Sequence, residues 1–222
     1  MTRPAGLRHE VGVWPADGTG PRRPALLQRL AIGGADRADP ALHEPLRRHA
    51  HLVERLAGRA GVPELLHRDD DADLVVLALP PGQPLVDCLP RLRGQPRLLL
   101  RFGLALVDVL EALHDADMVH GRLEPRHLYL DLRGDGRPDR VTLIDFSLTF
   151  QGRFEVPFRP ATDPERFGPC GAPEQTGRTG ALVDWRADHH ALGALLHWAA
   201  CGEPPFGATE PHNLHLPYGT DS

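Results

Sequence analysis

The sequence predicts an α+β fold in which a small β-rich piece with one helix precedes a mainly helical piece. Three observations carry this. Up to about Leu79, short β-like runs surround a single helical stretch. From Pro96 the apolar residues recur at helical spacing. The last strong pattern is an apolar helix closed by glycine and two prolines.

HEVGVWPADG and RPALLQRLA read as two strands around a turn at Asp17 and Gly18. Asp39 and Pro40 form an N-cap and first-turn proline that open PALHEPLRRHAHLVERLAG; Pro45 interrupts the pattern, so the clean helix is expected from Pro45 to Gly58. DADLVVLAL, bounded by acidic and Pro/Gly residues, is a buried strand, and PPGQP a linker. Leu99, Phe102, Leu106, Val109, Leu110 and Leu113 then mark a helix with a broad apolar face. HLYLDL and RVTLIDF, joined by RGDGRPD, read as a hairpin. Gln151 to Thr179 is rich in Pro and Gly and irregular. ADHHALGALLHWAA is a buried helix that Gly202 ends, and GATEPHNLHLPYGTDS carries no period.

With 222 residues, 41% of them hydrophobic, the chain fills a core. A net charge of -5 and the lack of a dense basic run argue against a nucleic-acid partner. Cys88, Cys170 and Cys201 offer neither a disulfide framework nor a paired metal spacing, which fits a reducing cytosol. MTRPAGLRHEVG has no apolar signal core, and the run Leu74 to Leu79 is too short to span a bilayer, so a cytoplasmic protein without membrane contact is expected. All 25 basic residues are arginine; lysine is absent. A GC-rich genome explains that through codon supply. The chemical consequence stands, because arginine does not replace lysine where a compact ammonium must reach a phosphate.

Three strings sharpen the fold class. VHGRLEPRHLYL resembles the catalytic loop of protein kinases, H-R-D-L-K-P-x-N followed by apolar residues. LIDFSLT, with Asp145 eighteen positions after His127, resembles their metal-binding D-F-G segment. GAPEQTGRTGALVDWRADHHALGALLHWAACGEPPF resembles the A-P-E segment and the buried helix with its D-x-x-x-x-G signature, here Asp188 to Gly193. Their order and spacing from His120 to Phe206 make the chain similar to bacterial serine/threonine protein kinases, in particular to kinase-like domains at the front of large multidomain sensor proteins. The resemblance implies a two-lobed kinase-like fold: residues 1–80 a reduced N-lobe without a clear glycine-rich loop, 81–97 a hinge or linker, 98–207 a C-lobe truncated at its C-terminal end, and 208–222 an irregular tail.

The resemblance also permits an audit of the chemistry. Phosphoryl transfer asks the protein mainly to position groups and neutralise charge. The position of the catalytic aspartate holds Arg122, which stays protonated and cannot serve as a base. The loop lysine is matched by Glu124, reversing the charge. The asparagine that holds a second magnesium is matched by His127, a nitrogen donor suited to softer metals. Gln28 stands where the phosphate-anchoring lysine belongs, and His49 where its glutamate partner belongs, with Glu44 and Glu54 as neighbours in register. Leu26 replaces a small alanine above the purine and Tyr129 an aliphatic residue beneath it, so the adenine pocket is expected to be partly filled. Asp145 is the one intact polar catalytic element; it either ligates magnesium or caps local backbone amides. His120, Glu174, Asp188 and Gly193 match architectural residues of the family, and the usual arginine partner of Glu174 lies later in the fold than this chain reaches.

Other signals are bland. The thirteen histidines include the pairs His189 with His190 and His212 with His215, which lack further ligands at zinc-like spacing and read as surface or packing residues. GGADRADP has no phosphate-loop spacing, DDDADL is a solvated turn, and Cys170 is more an inert packing thiol than a reactive one. The expected function is a catalytically impaired pseudokinase that acts as a regulatory or interaction module toward a partner protein or adjoining sensor domains, with ATP and Mg²⁺ held weakly or not at all. A weakly active serine/threonine kinase that relies on Asp145, and a truncated remnant, stay open beside it.

Overall fold

Pairing of two short amphipathic strands starts the first sheet. The computed structural model of the chain describes residues 7–15, 20–30, 40–133, 138–153, 168–177 and 180–205. β1 (Leu7–Trp14) and β2 (Arg23–Leu30) run antiparallel, from Leu7 opposite Leu30 to Trp14 opposite Arg23. The predicted turn at Asp17 and Gly18 lies outside the described residues. β3 (Leu65–Asp69) and β4 (Leu74–Ala78) complete a four-stranded antiparallel sheet in the order β1-β2-β4-β3. Residues opposite one another share a face, so Leu26, Gln28, Val75 and Leu77 line one side, and that side is buried.

α1 (Pro40–Arg55) packs there through Leu46, Ala50 and Val53, with Leu56 just beyond it. The helix differs from the expectation in both bounds: it passes through Pro45 instead of starting there, and it stops at Arg55 instead of Gly58. Pro45 removes a single N–H from the ladder, and the apolar face buried on the sheet outweighs that loss. Gly58, at φ 81°, then lies in the left-handed region beyond a final turn closed by Leu56 N donating to Leu52 O. The proposed N-cap Asp39 lies outside the described residues.

The remainder is mainly helical. Gln83–Pro84 (β5) leads into α2 (Leu85–Leu92), a helix inside the stretch expected to be a linker, with Leu85, Cys88 and Leu92 buried at helical spacing. α3 (Pro96–His114) buries Phe102, Leu106, Val109, Leu110 and Leu113, as its period predicts. β6 (Met118–Val119) precedes the loop that carries the candidate site. The predicted hairpin is β7 (Leu128–Leu132) with β8 (Pro138–Leu143), and it extends to β5 in the order β5-β7-β8. β9 (Phe150–Gln151) pairs with β6, in a region expected to be irregular. α4 (Arg186–Cys201) ends at Gly202, φ 90°. One apolar cluster joins the inner sheet face, α1 to α4, β7 and β8. The result is a mixed α and β fold, compatible with a kinase-like architecture. No described helix is long and apolar enough to cross a membrane. The C-terminal tail lies outside the described residues.

Candidate functional site

The loop between β6 and β7 is held from beneath by one carboxylate. Asp188, in the first turn of α4, accepts the main-chain N–H groups of His120 and Gly121, each at 2.8 Å, and faces His114 Nε2 at 3.0 Å. Gln175 adds a second anchor: its Nε2 donates to Gly121 O at 2.7 Å while its Oε1 accepts Ala172 N at 2.8 Å. Thr149 Oγ1 donates to His120 O at 3.2 Å. The His120 ring stands edge-on to Phe146 at 5.5 Å, and burial lowers its pKa. These contacts fix the loop backbone and leave its side chains to set the chemistry.

Those side chains form an ion triad around a buried carboxylate. Arg122 Nε donates to Glu124 Oε1 at 2.9 Å and Arg126 Nε lies 2.7 Å from Glu124 Oε2, so both carboxylate oxygens are taken. Burial works against the charge of Glu124, but His127, Arg122 and Arg126 together hold its carboxyl below the ordinary range, so it is ionised. Gly168 closes the far side: a Cβ there would run into Glu124 Oε1, and φ +65° favours glycine as well. Cys170 is buried beside the triad, and its thiol is pushed up to about 12 by burial and by Glu124, which makes it inert.

Asp145 follows β8 and is buried. Its Oδ1 accepts the Ser147 N–H at 2.9 Å, and its Oδ2 lies 3.5 Å from His127 Nε2. Although burial disfavours its charge, His127, His49 and the bonds with Ser147 hold the carboxyl well below the usual carboxylate range. Around it stand three imidazoles whose pKa burial lowers, His127, His9 and, to about 4, His49; neutral near pH 7, they carry the charge that holds Asp145 low only once acid protonates them. His49, on α1, accepts the Phe146 N–H at its Nδ1 at 3.0 Å; Gln28, on β2, donates from Nε2 to Ile144 O at 2.6 Å and lies 3.3 Å from His9 Nε2. The structure therefore brings Gln28, His49, His127 and Asp145 together around the Ile144–Ser147 segment, with Arg122 and Glu124 on the adjoining loop. Glu44 and Glu54, the alternatives for His49, are both exposed.

The other sequence-derived residues are placed differently. Leu26 and Tyr129 are both buried members of the main cluster, Leu26 opposite Val11 and Tyr129 opposite Thr142. Glu174 is half-buried in a short 3-10 turn (Pro173–Thr176), and its side chain makes no hydrogen bond or ion pair among the described residues. Gly193 sits on an exposed position of α4 where an added Cβ meets nothing within 4 Å. His212 and His215 lie outside the described residues. Sequence reasoning missed Gln175, Arg126, His9 and Gly168. Gln175 adjoins the better-known Glu174, and His9 reaches the site only through the β1–β2 register.

The donors present do not fit a magnesium–ATP complex. Magnesium takes one or two protein carboxylates and fills its octahedron with waters and phosphates; here the one carboxylate of the segment is already shared with the Ser147 N–H and faces the His127 imidazole. Polyphosphate requires cations or free N–H donors; here Gln28 is spent on a backbone carbonyl and Glu124 adds a negative charge. Among the described residues, no group of three or more His, Cys, Asp or Glu side chains is arranged to hold a metal.

No family model matches the chain. It is 26% identical to the serine/threonine-protein kinase pkn2 of Myxococcus xanthus over 187 residues, 78% of this chain and 22% of that protein. It is 32% identical to the DNA damage-responsive serine/threonine-protein kinase RqkA of Deinococcus radiodurans over 165 residues, 72% of this chain and 24% of that protein. Calcium-dependent protein kinase 14 of Oryza sativa subsp. japonica is 28% identical over 178 residues, 77% of this chain and 32% of that protein. The chain thus spans between 22% and 32% of the length of these relatives. The similarities support a relationship to the protein kinase superfamily and a protein-kinase-like domain in this chain.

Proposed function

We propose that this domain is a catalytically impaired pseudokinase that works as a regulatory or protein-interaction module. The observation that carries the reading is the ion pair between Arg122 and Glu124. Relative to the kinase loop, both the aspartate and the lysine have changed sign, and the two replacements bind each other. The loop keeps an ion pair and loses its base, since a guanidinium accepts no proton. Gln28 and His49 extend the same pattern: both are neutral, and both hold the Ile144–Ser147 segment through its backbone. Such a site is built for a fixed shape, which serves docking to a partner protein or to adjoining sensor domains.

The test is phosphate incorporation from radiolabelled ATP, with and without Mg²⁺, into the chain itself and into a generic protein substrate. No Mg²⁺-dependent incorporation is expected. Incorporation that Asp145→Asn abolishes would replace this reading with that of a weakly active serine/threonine kinase.

A further inference from the structure

β1 is the outer strand of the four-stranded sheet. One edge is bonded to β2 along its whole length without a bulge, and the main-chain groups of the other edge have no partner among the described residues. Folded proteins usually shorten, bulge or cover such edges, because the N–H and C=O groups that alternate residues of this eight-residue strand turn outward template another strand. The side chains sharpen the point. Val11 lies opposite Leu26 and Val13 opposite Pro24, so both share the sheet face of Leu26 and Gln28, yet they remain 64% and 48% exposed.

We propose that a second copy of the chain occupies this edge, paired antiparallel, β1 to β1, about a two-fold axis through Val11. In this register Val11 faces its own copy, Val13 faces the partner's His9, Glu10 faces the partner's Gly12, and Arg8 faces the partner's Trp14. Every residue from Arg8 to Trp14 finds a neighbour, and apolar area is covered at Val11 and Val13. The other two-fold registers are poorer. An axis at Glu10 sets two carboxylates against each other. An axis at Gly12 sets His9 against Pro15, which has no N–H to give. An axis at His9 pairs Arg8 with Glu10 but reaches only from Leu7 to Val11 and leaves Val13 bare. The self-complementary register is what selects a second copy over an unrelated strand, and the two sheets become one of eight strands.

Light scattering on the eluted whole chain across a concentration series measures the association. A dimer is expected, and Val11→Lys, at an exposed position where it sets two ammonium groups against each other on the axis, is expected to weaken it on the order of tenfold or more while leaving in place the melting curve taken at concentrations too low for association. Cross-linking fixes the register. In a Cys201→Ser background, where Cys88 and Cys170 are buried, Val11→Cys is expected to oxidise to a covalent dimer, since directly opposed residues have Cα atoms about 4.5–5.5 Å apart. Val13→Cys, which faces histidine, is expected not to. A monomer at every concentration, a dimer indifferent to Val11→Lys, or equal cross-linking at the two positions overturns the proposal.

Discussion

Glu124 is a buried carboxylate whose two oxygens are each bound by an arginine, and this makes the loop's charge order testable one residue at a time. Arg122→Asp places a second carboxylate against Glu124 and leaves Arg126 to hold both; a loss of about 3 kcal/mol of folding stability is expected in urea melts. The double variant Arg122→Asp with Glu124→Lys restores the kinase polarity and is expected to recover more than half of that loss, a coupling that separate additive sites would not show. His49 supports a second prediction, one of pH. Burial holds it neutral down to about 4 in the fold, while the unfolded chain takes up its proton near 6.5. Its contribution is therefore complete above 6.5 and is lost as pH falls from 6.5 toward 4, by about 3 kcal/mol at the acid end. His9, His120 and His127 are lowered by burial in the same direction. Asp145, held low, adds its own loss only at still lower pH. Urea midpoints measured from pH 8 to 5 are expected to fall, and His49→Gln, which keeps an acceptor for the Phe146 N–H, is expected to flatten the fall.

At the scale of elements, α1 holds the least comfortable residue. Pro45 lies in its second turn and has no N–H for the carbonyl four residues back. Pro45→Ala is expected to stabilise the chain by about 1–3 kcal/mol, read as a higher melting temperature. The same residue misled the sequence reading, because a proline is a good local signal and a poor judge of what burial tolerates. The long helices α3 and α4 were legible: each shows one apolar stripe over several turns, so no register choice arises. β3 was not, since all five residues of LLHRD are half-buried and show no alternation. α2 was hidden because Pro84 and Pro90 disguise a spacing of three and four in only eight residues. In the site, the identity of Arg122, Glu124, His127 and Asp145 was legible from motif order, while their pairing was not. Glu124 reaches Arg122 two residues away and Arg126 at once only because Asp188 and Gln175 fix the loop backbone beneath them.

For the whole molecule, the contacts of Gln28 and His49 tie its parts together. Gln28 and His49 belong to β2 and α1, and they bond the backbone of Ile144 and Phe146, 116 and 97 residues further along the chain. On the reading proposed above these are the two positions with which a kinase grips nucleotide; here both side chains bond the backbone instead. Binding a ligand to the folded state raises stability by mass action, and a ligand with no differential affinity raises nothing. Thermal melts of the whole chain with ATP and Mg²⁺ into the millimolar range are therefore expected to show one cooperative transition whose midpoint stays constant. Restoring the missing charge supplies the control. Gln28→Lys breaks the bond to Ile144 O and buries an ammonium near Asp145, so it is expected to lower the midpoint without ligand, through the cost of desolvating the ammonium and a lost hydrogen bond. A saturable upward shift in the unsubstituted chain would show that the site takes nucleotide without a lysine, whereas a shift seen only in Gln28→Lys would assign the loss of binding to that single residue.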